Sequence, residues 1–464
     1  MEKERVMPLI PFILALGVSL ATMPPWNTLT YDGALYLDIA RNLANDITSF
    51  TYQEVYMMYR PPLYPYTLSL FYHFVPEEYH LLVARLVSAF FFSFTAVLVY
   101  LLARDIFGDE RRSIIASLFF ISNPLAFTMA TRELVHSEFT FFYTLAVYLL
   151  YTGRKKRNVL RIYISFIAAG LAILTRYTGL SIVVVFLVYL YLTDHWKWVK
   201  KREYWIGLIL LAFTLAPWLY MGHIYYGGIF RPFSVASRVV TLDRPISVLD
   251  YINMLLKDLG YLLPALTTLG FVRLKKNDEG WLIISWFFMG LMGILTVTHK
   301  ETRFITFLAP AMAILTEEGV MILIDAVEHF RPKTLGRYRT VLILALALLF
   351  LMPISRRAYD LKDTWNVVGK YDSDILNYAA DHYQAEKLLV SPYLYTMAGF
   401  YYPDASVEMI LYSNKTREKI ARGYYDLIIY KEPKTYLNIE ESGNYLLIKK
   451  FYEGKFKIYA RREN

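Results

Sequence analysis

Two stretches near the N-terminus decide how the chain is interpreted. Residues 30–43 read TYDGALYLDIARNL, and residues 59–65 read YRPPLYP. The first predicts a helix, because its apolar positions recur every three to four residues, and it carries Asp32 in the first turn. The second places Arg60 beside a stiff Pro-Pro turn. Both come after the first long apolar run, so we expect them where a membrane helix has just left the bilayer.

The composition indicates a polytopic membrane protein. Of the 464 residues, 56% are hydrophobic and 19% are charged, whereas about a quarter of a soluble domain is charged. The first apolar run, residues 7–23, ends in Pro-Pro-Trp rather than in a cleavage site of small residues. We therefore interpret it as a membrane helix and not as a signal peptide. The absence of Cys excludes disulfides, thiolate metal sites and a Cys nucleophile.

Apolar runs recur along the chain at roughly the 20-residue length that crosses a bilayer. Eleven spans are predicted, at residues 6–23, 80–102, 113–130, 139–151, 160–174, 179–192, 205–221, 251–272, 281–297, 304–324 and 341–352. The residues after 356 instead alternate helix and strand patterns, and they end in a predicted hairpin. We therefore predict a polytopic transmembrane α-helical domain over residues 1–355 and a small extracytoplasmic α/β domain over residues 356–464.

The distribution of charge between the spans predicts the orientation. Basic residues cluster in one alternating set of loops, at residues 104–112, 154–161, 197–202, 273–276 and 331–339. Because basic loops remain in the cytoplasm, we expect a cytoplasmic N-terminus and a C-terminal domain outside the cell membrane. This pattern also accounts for the net charge of +9, so the charge does not indicate nucleic-acid binding.

The opposite set of loops carries the candidates for chemistry. Charges at the edge of a membrane are costly to place, so they are functional candidates by default. Those found here are Asp32, Arg60, Arg132, Glu133, Glu138, Arg176, Lys300, Glu301 and Arg303, together with the titratable His299. They fall on four separate turns at a similar depth, and this arrangement predicts a shared cavity.

Several candidates also have a purely structural interpretation. Asp32 could cap the helix that it begins, or it could be an exposed base that takes a proton from a hydroxyl. Glu133 could pair with Arg132 or stabilise the start of the next helix, whereas Glu138 abuts an aromatic run and is harder to explain in this way. Arg60 could reach lipid headgroups.

The motif at residues 299–303, HKETR, lies between two apolar runs. Lys300 and Arg303 are three residues apart, so they would share one face of a helix, and the guanidinium fork suits a phosphate. The alternative is an ordinary polar turn, which four charged or titratable groups in five residues make the weaker interpretation. His299 could also be a metal ligand, although an isolated His usually is not.

Together these motifs resemble the membrane glycosyltransferases with the GT-C fold, and most closely the branch of protein O-mannosyltransferases and aminoarabinose transferases. The resemblance spans roughly residues 7–324. It rests on Asp32 followed by Tyr36, RPPLYP at 60–65, Arg132 with Ser137-Glu138, LTR at 174–176 and HKETRF at 299–304. That family takes sugars from polyprenyl or dolichyl phosphate and transfers them to acceptors on the outer face of the membrane.

The resemblance implies a role for each group of residues. The catalytic residues would be Asp32 as base, with Glu138 or, as the alternative, Glu133 as a second acid. The donor phosphate would be bound by Lys300, Arg303, Arg60 and Arg176. The remaining substrate contacts would come from Tyr36, Arg132, Glu301 and His299. Gly33 stands where many members of the family have a second acidic residue, so participation of a divalent metal stays open.

We therefore expect inverting transfer of a sugar from a polyprenyl- or dolichyl-phosphate carrier to a hydroxyl of a protein, lipid or glycan acceptor. The short basic loops carry no Gly-rich phosphate loop, so a soluble nucleotide-sugar donor is not expected. The alternative from another class is a transporter or a flippase for polyprenyl-linked lipids. Transporters place polar groups near the bilayer midplane on broken helices, whereas the charges of this chain gather at one edge.

Overall fold

The chain is described by a computed structural model over residues 6–26, 28–242, 245–330, 339–411, 413–431, 437 and 439–462. It divides into two compact units. The helical unit comprises Met1–Met23, Met58–Tyr64 and Leu82–Trp365. The mixed unit comprises Pro24–Met57, Pro65–Leu81 and Asn366–Asn464. Most of the predicted basic loop at 331–339 lies outside the described residues.

Helices dominate the described residues, and short strands follow late in the chain. The helices are α1 (Leu9–Ala21), α2 (Tyr31–Asn45), α3 (Leu63–Tyr72), α4 (His80–Phe107), α5 (Glu110–Ile121), α6 (Pro124–Met129), α7 (His136–Lys155), α8 (Val159–Thr175), α9 (Ser181–Asp194), α10 (Arg202–Tyr225), α11 (Arg231–Leu242), α12 (Val248–Leu259), α13 (Leu262–Gly270), α14 (Asp278–Leu295), α15 (Ala309–Phe330), α16 (Arg339–Asn366), α17 (Lys370–His382), α18 (Pro392–Tyr401) and α19 (Asn414–Ala421). The strands are β1 (Thr51–Tyr52), β2 (Val55–Tyr56), β3 (Lys387–Val390), β4 (Ser406–Met409), β5 (Leu427–Lys431), β6 (Tyr445–Phe451) and β7 (Phe456–Arg461).

The predicted count of eleven spans is not confirmed. Within the described residues, six helices are long and apolar enough to cross a membrane, or seven if α12 and α13 form one broken span. These two helices meet at 105°, and Gly260 between them takes a φ of 72°, which favours glycine. Two further predicted spans correspond to α1 and α8, which are apolar but shorter than the length used for that count.

Close packing inside the helical unit depends on small residues at one crossing. A Cβ added to Gly270 at the end of α13 would lie 1.9 Å from the carbonyl oxygen of Leu315 in α15. A Cβ on Gly319 of α15 would lie 2.1 Å from the carbonyl oxygen of Leu266. The two backbones therefore approach too closely for any side chain, which is the way small residues bring membrane helices together.

The mixed unit is built around a five-stranded sheet with the strand order β4-β3-β5-β7-β6. Strands β4, β3 and β5 run parallel, and β7 and β6 continue antiparallel. The predicted hairpin is present as β6 and β7. Its connection passes through Glu453 and Gly454, both at positive φ. Helix α18 and strand β4 were not predicted.

The division into units differs from the predicted boundary between residues 355 and 356. Helix α16 runs through that position and continues to Asn366. Residues 24–57 and 65–81 group with the C-terminal residues, because α2 packs against α18. The hydroxyl of Tyr52 donates a hydrogen bond to the carbonyl of Tyr395, which ties the first loop to the sheet region within the mixed unit.

Candidate functional site

The turn between α6 and α7 carries two fully buried charges in the helical unit, Arg132 and Glu133. One carboxylate oxygen of Glu133 lies 3.4 Å from Nε of Arg85 in α4, and the other lies 3.4 Å from Nη2 of Arg132. Helix α7 begins at His136 without a side-chain cap. Glu133 is therefore an ion-pair partner of two arginines and not a helix cap.

Arg132 is unusual because its guanidinium is buried without hydrogen bonds. Nε, Nη1 and Nη2 each lack a hydrogen-bond partner among the residues that the structure describes. Burial is the main reason why the pKa of Arg132 is lowered, and the nearby charges of Arg85 and Arg303 act in the same direction. Glu133 opposes this effect. Burial therefore outweighs each neighbouring charge in its effect on Arg132.

Two side chains from other helices donate hydrogen bonds to the turn, one to the backbone of Arg132 and one to the side chain of Thr131. Ser88 of α4 donates to the carbonyl oxygen of Arg132 at 2.7 Å. Lys362 of α16 donates to Oγ1 of Thr131 at 2.7 Å, and its ammonium also lies 3.4 Å from the carbonyl oxygen of Phe127. The turn is thus held by a serine and a buried lysine that lie far from it in sequence.

Arg176 brings a second turn to this region. Its Nη1 lies 3.2 and 3.3 Å from the two ring nitrogens of His136, the first residue of α7. Its guanidinium also stacks over the ring of Phe304 at 4.4 Å. Arg303 is close enough to exert an electrostatic effect on both His136 and Arg132. Residues from three of the four predicted turns therefore meet inside the helical unit.

The segment that carries Arg60 is attached next to Arg176. The hydroxyl of Tyr177 donates to the carbonyl of Met58 at 2.9 Å, and it accepts a hydrogen bond from Nε1 of Trp218 at 2.8 Å. Arg60 itself is half-buried and lies over the ring of Tyr59 at 5.3 Å. The fourth turn is thereby anchored to the helical unit through its backbone.

Glu301 organises the predicted phosphate motif. It accepts hydrogen bonds from Nε and Nη2 of Arg303 at 2.5 and 3.0 Å, and its Oε1 lies 3.0 Å from Nε2 of His299. The buried ammonium of Lys300 instead donates to the carbonyl of Ile246 at 2.9 Å. The expectation that Lys300 and Arg303 share a helix face is wrong, because the helical turn begins only at Thr302.

Asp32 and Tyr36 belong to the mixed unit, where both lie in α2. The cap of this helix is Thr30, whose Oγ1 accepts a hydrogen bond from the backbone N–H of Gly33 at 3.0 Å. Asp32 is the second residue of the helix and is half-buried, whereas Tyr36 is buried. The capping role considered for Asp32 is therefore filled by Thr30. The remaining structural effect of the helix on Asp32 is that its dipole stabilises the carboxylate in the first turn.

Asp38 in the same helix was not predicted as a site residue. Its Oδ1 lies 3.4 Å from Nη1 of Arg41, which pairs more closely with Glu77 at 2.5 Å. Burial raises the pKa of Asp38 to about 6, against the opposing effect of Arg41. Among the residues that the structure describes, this buried acid therefore has one long contact to a cation, from Arg41.

Arg85 and Lys362 were not predicted as residues of the site either. The sequence contains a signal for Arg85 but not for Lys362. Arg85 lies inside a predicted span, and an isolated charge within a span is a functional candidate by itself, so the sequence contained the signal. Lys362 lies beyond the predicted domain boundary, where a lysine is unremarkable. Glu138, which was predicted, is buried in the first turn of α7.

A small cavity lies next to the turn, lined by Met129, His136, Ser137, Thr140 and Thr306 among others. In the described part of the chain, no three His, Cys, Asp or Glu side chains come together as a metal site would require. Besides His136 and His299, the charged side chains described above for the helical unit are those of arginine, lysine and glutamate.

Comparison with known proteins identifies a family model and a relative that the chain resembles in sequence. Residues 59–221 match the family described as dolichyl-phosphate-mannose-protein mannosyltransferase. An uncharacterized protein of Aquifex aeolicus (strain VF5) is 26% identical over 326 residues, which is 68% of this chain. The match spans 64% of that relative's length, less than two thirds of it.

Solved structures match over nearly the whole chain. ArnT from Cupriavidus metallidurans bound to undecaprenyl phosphate gives a TM-score of 0.73 at 15% identity, with 97% of each chain covered. The archaeal oligosaccharyltransferase AglB from Archaeoglobus fulgidus, in complex with an inhibitory peptide and a dolichol-phosphate, gives 0.63 at 12% identity, covering 99% of this chain and 75% of AglB. The arabinofuranosyltransferase AftD from Mycobacteria gives 0.52 at 12% identity, covering 99% of this chain and 40% of AftD.

The resemblance predicted from the motifs, to GT-C membrane glycosyltransferases of the mannosyltransferase and aminoarabinose transferase branch, is therefore confirmed. The predicted fold class is confirmed as well: a polytopic α-helical membrane protein with a small C-terminal α/β region. At 12–15% identity these structures establish the fold alone.

Proposed function

We propose that the chain is a glycosyltransferase that moves a sugar from a polyprenyl- or dolichyl-phosphate carrier to an acceptor hydroxyl on the outer face of the membrane. The observation that carries this proposal is the approach of Arg176 and Arg303, from two distant turns, to His136, with Arg303 also acting electrostatically on Arg132. A cluster of guanidinium groups suits a phosphate. The ligands named for ArnT and AglB, undecaprenyl phosphate and dolichol-phosphate, support a lipid phosphate.

The proposed reaction is an inverting displacement at the anomeric carbon of the sugar. Asp32 takes the proton of the acceptor hydroxyl as the hydroxyl attacks. The transition state has oxocarbenium character, and the bond from the sugar to the lipid phosphate breaks. Asp32 can remain charged for this role, because the first turn of a helix stabilises a carboxylate and because Asp32 is half-buried rather than enclosed.

The leaving lipid phosphate is stabilised by cations. Arg303 and Arg176 are the strongest candidates, since Glu301 holds one and the ring of Phe304 supports the other. Lys300 contributes charge while its ammonium is bonded to a carbonyl, and Arg60 completes the predicted set. Preorganised positive groups of this kind act on charge that develops in the transition state.

The second acid of the site is Glu138 rather than Glu133 in this proposal. Glu133 is paired with Arg85 and Arg132. Glu138 is buried in the first turn of α7, directly before an aromatic run. The remaining proposed substrate contacts are Tyr36, Arg132, Glu301 and His299. The basic loops support a multi-pass protein of the cell membrane with the N-terminus in the cytoplasm and the α/β region outside.

The experiment that tests the proposal is transfer from a panel of radiolabelled polyprenyl-phosphate sugars in membranes, comparing wild type with Asp32→Asn. Loss of a general base should slow transfer by about 10²- to 10⁴-fold. Asp46→Asn is the matched control, because Asp46 is exposed just beyond the end of the same helix. Wild-type turnover in Asp32→Asn would refute the assignment of the base. If no donor is consumed while labelled lipid crosses the bilayer, the flippase alternative replaces the transferase.

A further inference from the structure

The residue before the proposed base is bound by a carboxylate from the C-terminal part of the chain. Tyr31 is the first residue of α2 and directly precedes Asp32. Its hydroxyl donates a hydrogen bond to Oδ2 of Asp372, in the first turn of α17. The two residues are 341 positions apart in the sequence, and both belong to the mixed unit. The start of α2 is therefore tied to a helix that lies far from it along the chain.

The hydrogen bond from Tyr31 to Asp372 is of a strong kind. Asp372 is buried, with 3% of its surface exposed, and a hydrogen bond to a carboxylate is stronger than one between two neutral groups. Burial, followed by this hydrogen bond, raises the pKa of the Tyr31 hydroxyl. The hydroxyl therefore keeps its proton and acts as the donor.

A lysine of the sheet neutralises Asp372. Nζ of Lys431 in β5 lies 3.2 Å from Oδ1 of Asp372, so the two carboxylate oxygens have different partners. The ammonium of Lys431 also lies over the ring of Phe456 at 4.9 Å, and the backbone N–H of Lys431 donates to Oγ of Ser391 at 2.8 Å. The sheet thus holds the lysine, and the lysine holds the carboxylate that binds Tyr31.

The backbone that leads into α2 is constrained at the same place. Gly369, just before α17, has a φ of 76°, and a Cβ added to it would lie 1.9 Å from the carbonyl oxygen of Leu29. The two segments therefore approach too closely for any side chain at position 369. Leu29 is constrained by this contact, Thr30 by its hydrogen bond as the helix cap, and Tyr31 by the carboxylate. The three residues before Asp32 are each held in a different way.

Stability alone does not account for a buried ion pair at this position. Apolar residues can often replace such a pair without loss of stability, because the cost of desolvation offsets the attraction between the charges. A catalytic group, in contrast, loses rate when it is displaced by about 1 Å. It therefore needs surrounding residues that fix its position, and this network ends at the residue next to Asp32.

We propose that Tyr31, Asp372 and Lys431 are positioning residues that hold Asp32 in place as the base of the transfer reaction. This inference rests on the proposed function, in which Asp32 takes the proton of the acceptor hydroxyl. The hydrogen bond and the ion pair fix the first turn of α2, so the C-terminal α/β residues contribute to turnover through the position of the base.

The first test is steady-state transfer by the purified full-length protein, with the radiolabelled polyprenyl-phosphate sugar that wild type consumes. Tyr31→Phe keeps the ring and removes the hydroxyl, so kcat should fall about tenfold while KM for the donor stays within about twofold. Asp372→Asn keeps an oxygen that can accept from Tyr31 but loses the ion pair with Lys431, so kcat should fall about threefold. Tyr402→Phe is the matched control and should retain the wild-type kcat. Tyr402 is a buried tyrosine of the same unit whose hydroxyl donates to the carbonyl of Tyr383 at 3.2 Å.

A double variant separates positioning of the base from a general effect on folding. In the Asp32→Asn background, Tyr31→Phe should not lower the residual transfer further, because a residue that acts only through the base has nothing left to position. A structural role of Tyr31 would instead lower transfer by the same factor in both backgrounds. Equal losses in the two backgrounds therefore overturn the proposal.

Hydrogen exchange without substrate tests the contact independently of activity. The backbone N–H groups of Gly33 and Ala34 donate to Thr30 in the first turn of α2. They should exchange about three- to tenfold faster in Tyr31→Phe and in Asp372→Asn, because the first turn opens more often when it is no longer held. Unchanged exchange in both variants overturns the proposal.

Failure of this inference is distinguishable from failure of the proposed function. If Asp32→Asn keeps wild-type turnover, the assignment of the base is wrong and the positioning role falls with it. If Asp32→Asn loses turnover while Tyr31→Phe retains the wild-type kcat, only the positioning role is wrong. If Asp372→Asn does not fold, Lys431→Gln tests the same ion pair, and kcat should again fall about threefold.

Discussion

The helical unit contains two clusters of buried charge that are built in opposite ways. In the first, which we call the Arg112 network, Nε and Nη2 of Arg112 donate to the two carboxylate oxygens of Glu317 at 2.7 and 2.6 Å. Arg112 also lies 3.1 Å from Glu318, which pairs with Arg273 at 2.7 Å. Each charge of this network has an oppositely charged partner.

The second cluster, which we call the turn cluster, comprises Arg85, Arg132 and Glu133 at the turn between α6 and α7. In it, Nε, Nη1 and Nη2 of Arg132 lack hydrogen-bond partners among the described residues.

The contrast separates charges that hold helices together from charges that are kept for a ligand. The Arg112 network joins α5 to α15 and to the turn that follows α13. Its ion pairs replace the contacts with water that these charged groups lose on folding. A bidentate pair between arginine and a carboxylate also fixes direction. In the turn cluster, Glu133 lies 3.4 Å from Nη2 of Arg132, and in the proposed function the substrate would supply the hydrogen bonds that Arg132 lacks among the described residues.

The largest expected effect in this comparison is on stability, from Arg112→Met. The change leaves the buried carboxylate of Glu317 without its bidentate partner, and breaking a buried pair in this way costs about 3–5 kcal/mol. The apparent Tm in detergent should therefore fall markedly, while the affinity for undecaprenyl phosphate of the folded protein stays within about twofold. Arg111→Met is the control, because Arg111 is exposed and bonds only to Oγ1 of Thr340 among the described contacts.

The opposite pattern would remove the distinction between the two clusters. If Arg112→Met weakened ligand binding as strongly as Arg132→Met while leaving the apparent Tm unchanged, the paired network would belong to the binding apparatus. For each variant, the loss of ligand affinity must therefore be compared with the change in apparent Tm. Neither measurement alone distinguishes a binding role from a structural one.

The sequence predicted those features of the site that depend on local pattern. Alternating and helical periodicities placed β3, β5, β6 and β7, and the charged turns were recognised because charges interrupt apolar runs. Which turns meet was inferred from their similar depth alone. In the structure Arg176 contacts His136, and Arg303 acts electrostatically on His136 and Arg132. The inference from depth could not reveal that Glu301 holds Arg303 or that Ile246 holds Lys300, because those contacts depend on tertiary packing.

Lys362 was missed for a definite physical reason. Proline in a helix interior removes a hydrogen bond and usually ends or kinks the helix, so the predicted last span ended at residue 352. In the structure, Pro353 lies inside α16, which continues for thirteen more residues to Asn366. Because the helix continues past Pro353, Lys362 reaches the turn and the boundary between the units lies after residue 365. The proline in the local sequence does not predict this continuation.

A second prediction concerns the mixed unit, where the buried carboxylate of Asp38 lies 3.4 Å from Nη1 of Arg41. Its folded pKa of about 6 exceeds the usual value, so its contribution to stability is fully present below about pH 4 and is lost as the pH rises through 6. Asp38→Asn cannot ionise. The variant should therefore gain about 1–3 kcal/mol relative to wild type between pH 4 and pH 7.

The measurement for Asp38→Asn is apparent Tm as a function of pH, with Asp46→Asn as control. Hydrogen bonds from Thr48 lower the pKa of Asp46, which is exposed just beyond the end of the same helix. The Asp46 variant should therefore show no gain over this range. A pH-independent difference between Asp38→Asn and wild type would mean that Asp38 is held as a fully paired charge, like the members of the Arg112 network.

The smallest expected effect concerns Arg303, which is paired in the ligand-free protein although we propose that it binds phosphate. Glu301 is the acid that holds it, and the side chain of Glu301 is 31% exposed. Such a pair is worth about 0.2–1 kcal/mol. Glu301→Gln should release the guanidinium and tighten binding of undecaprenyl phosphate up to about fivefold. Glu110→Gln, an exposed acid at the start of α5, is the control.

The direction of the Glu301→Gln effect distinguishes two roles for this acid. If Glu301 only restrains Arg303, its neutral form removes a carboxylate that competes with the phosphate, and lipid phosphate binds more tightly. If Glu301 instead aims Arg303 at the phosphate or contacts the sugar, affinity falls. A decrease in affinity would mean that the ion pair between Glu301 and Arg303 prepares the site for its ligand. Paired charges would then serve the fold in the Arg112 network but serve binding in the turn at residues 299–303.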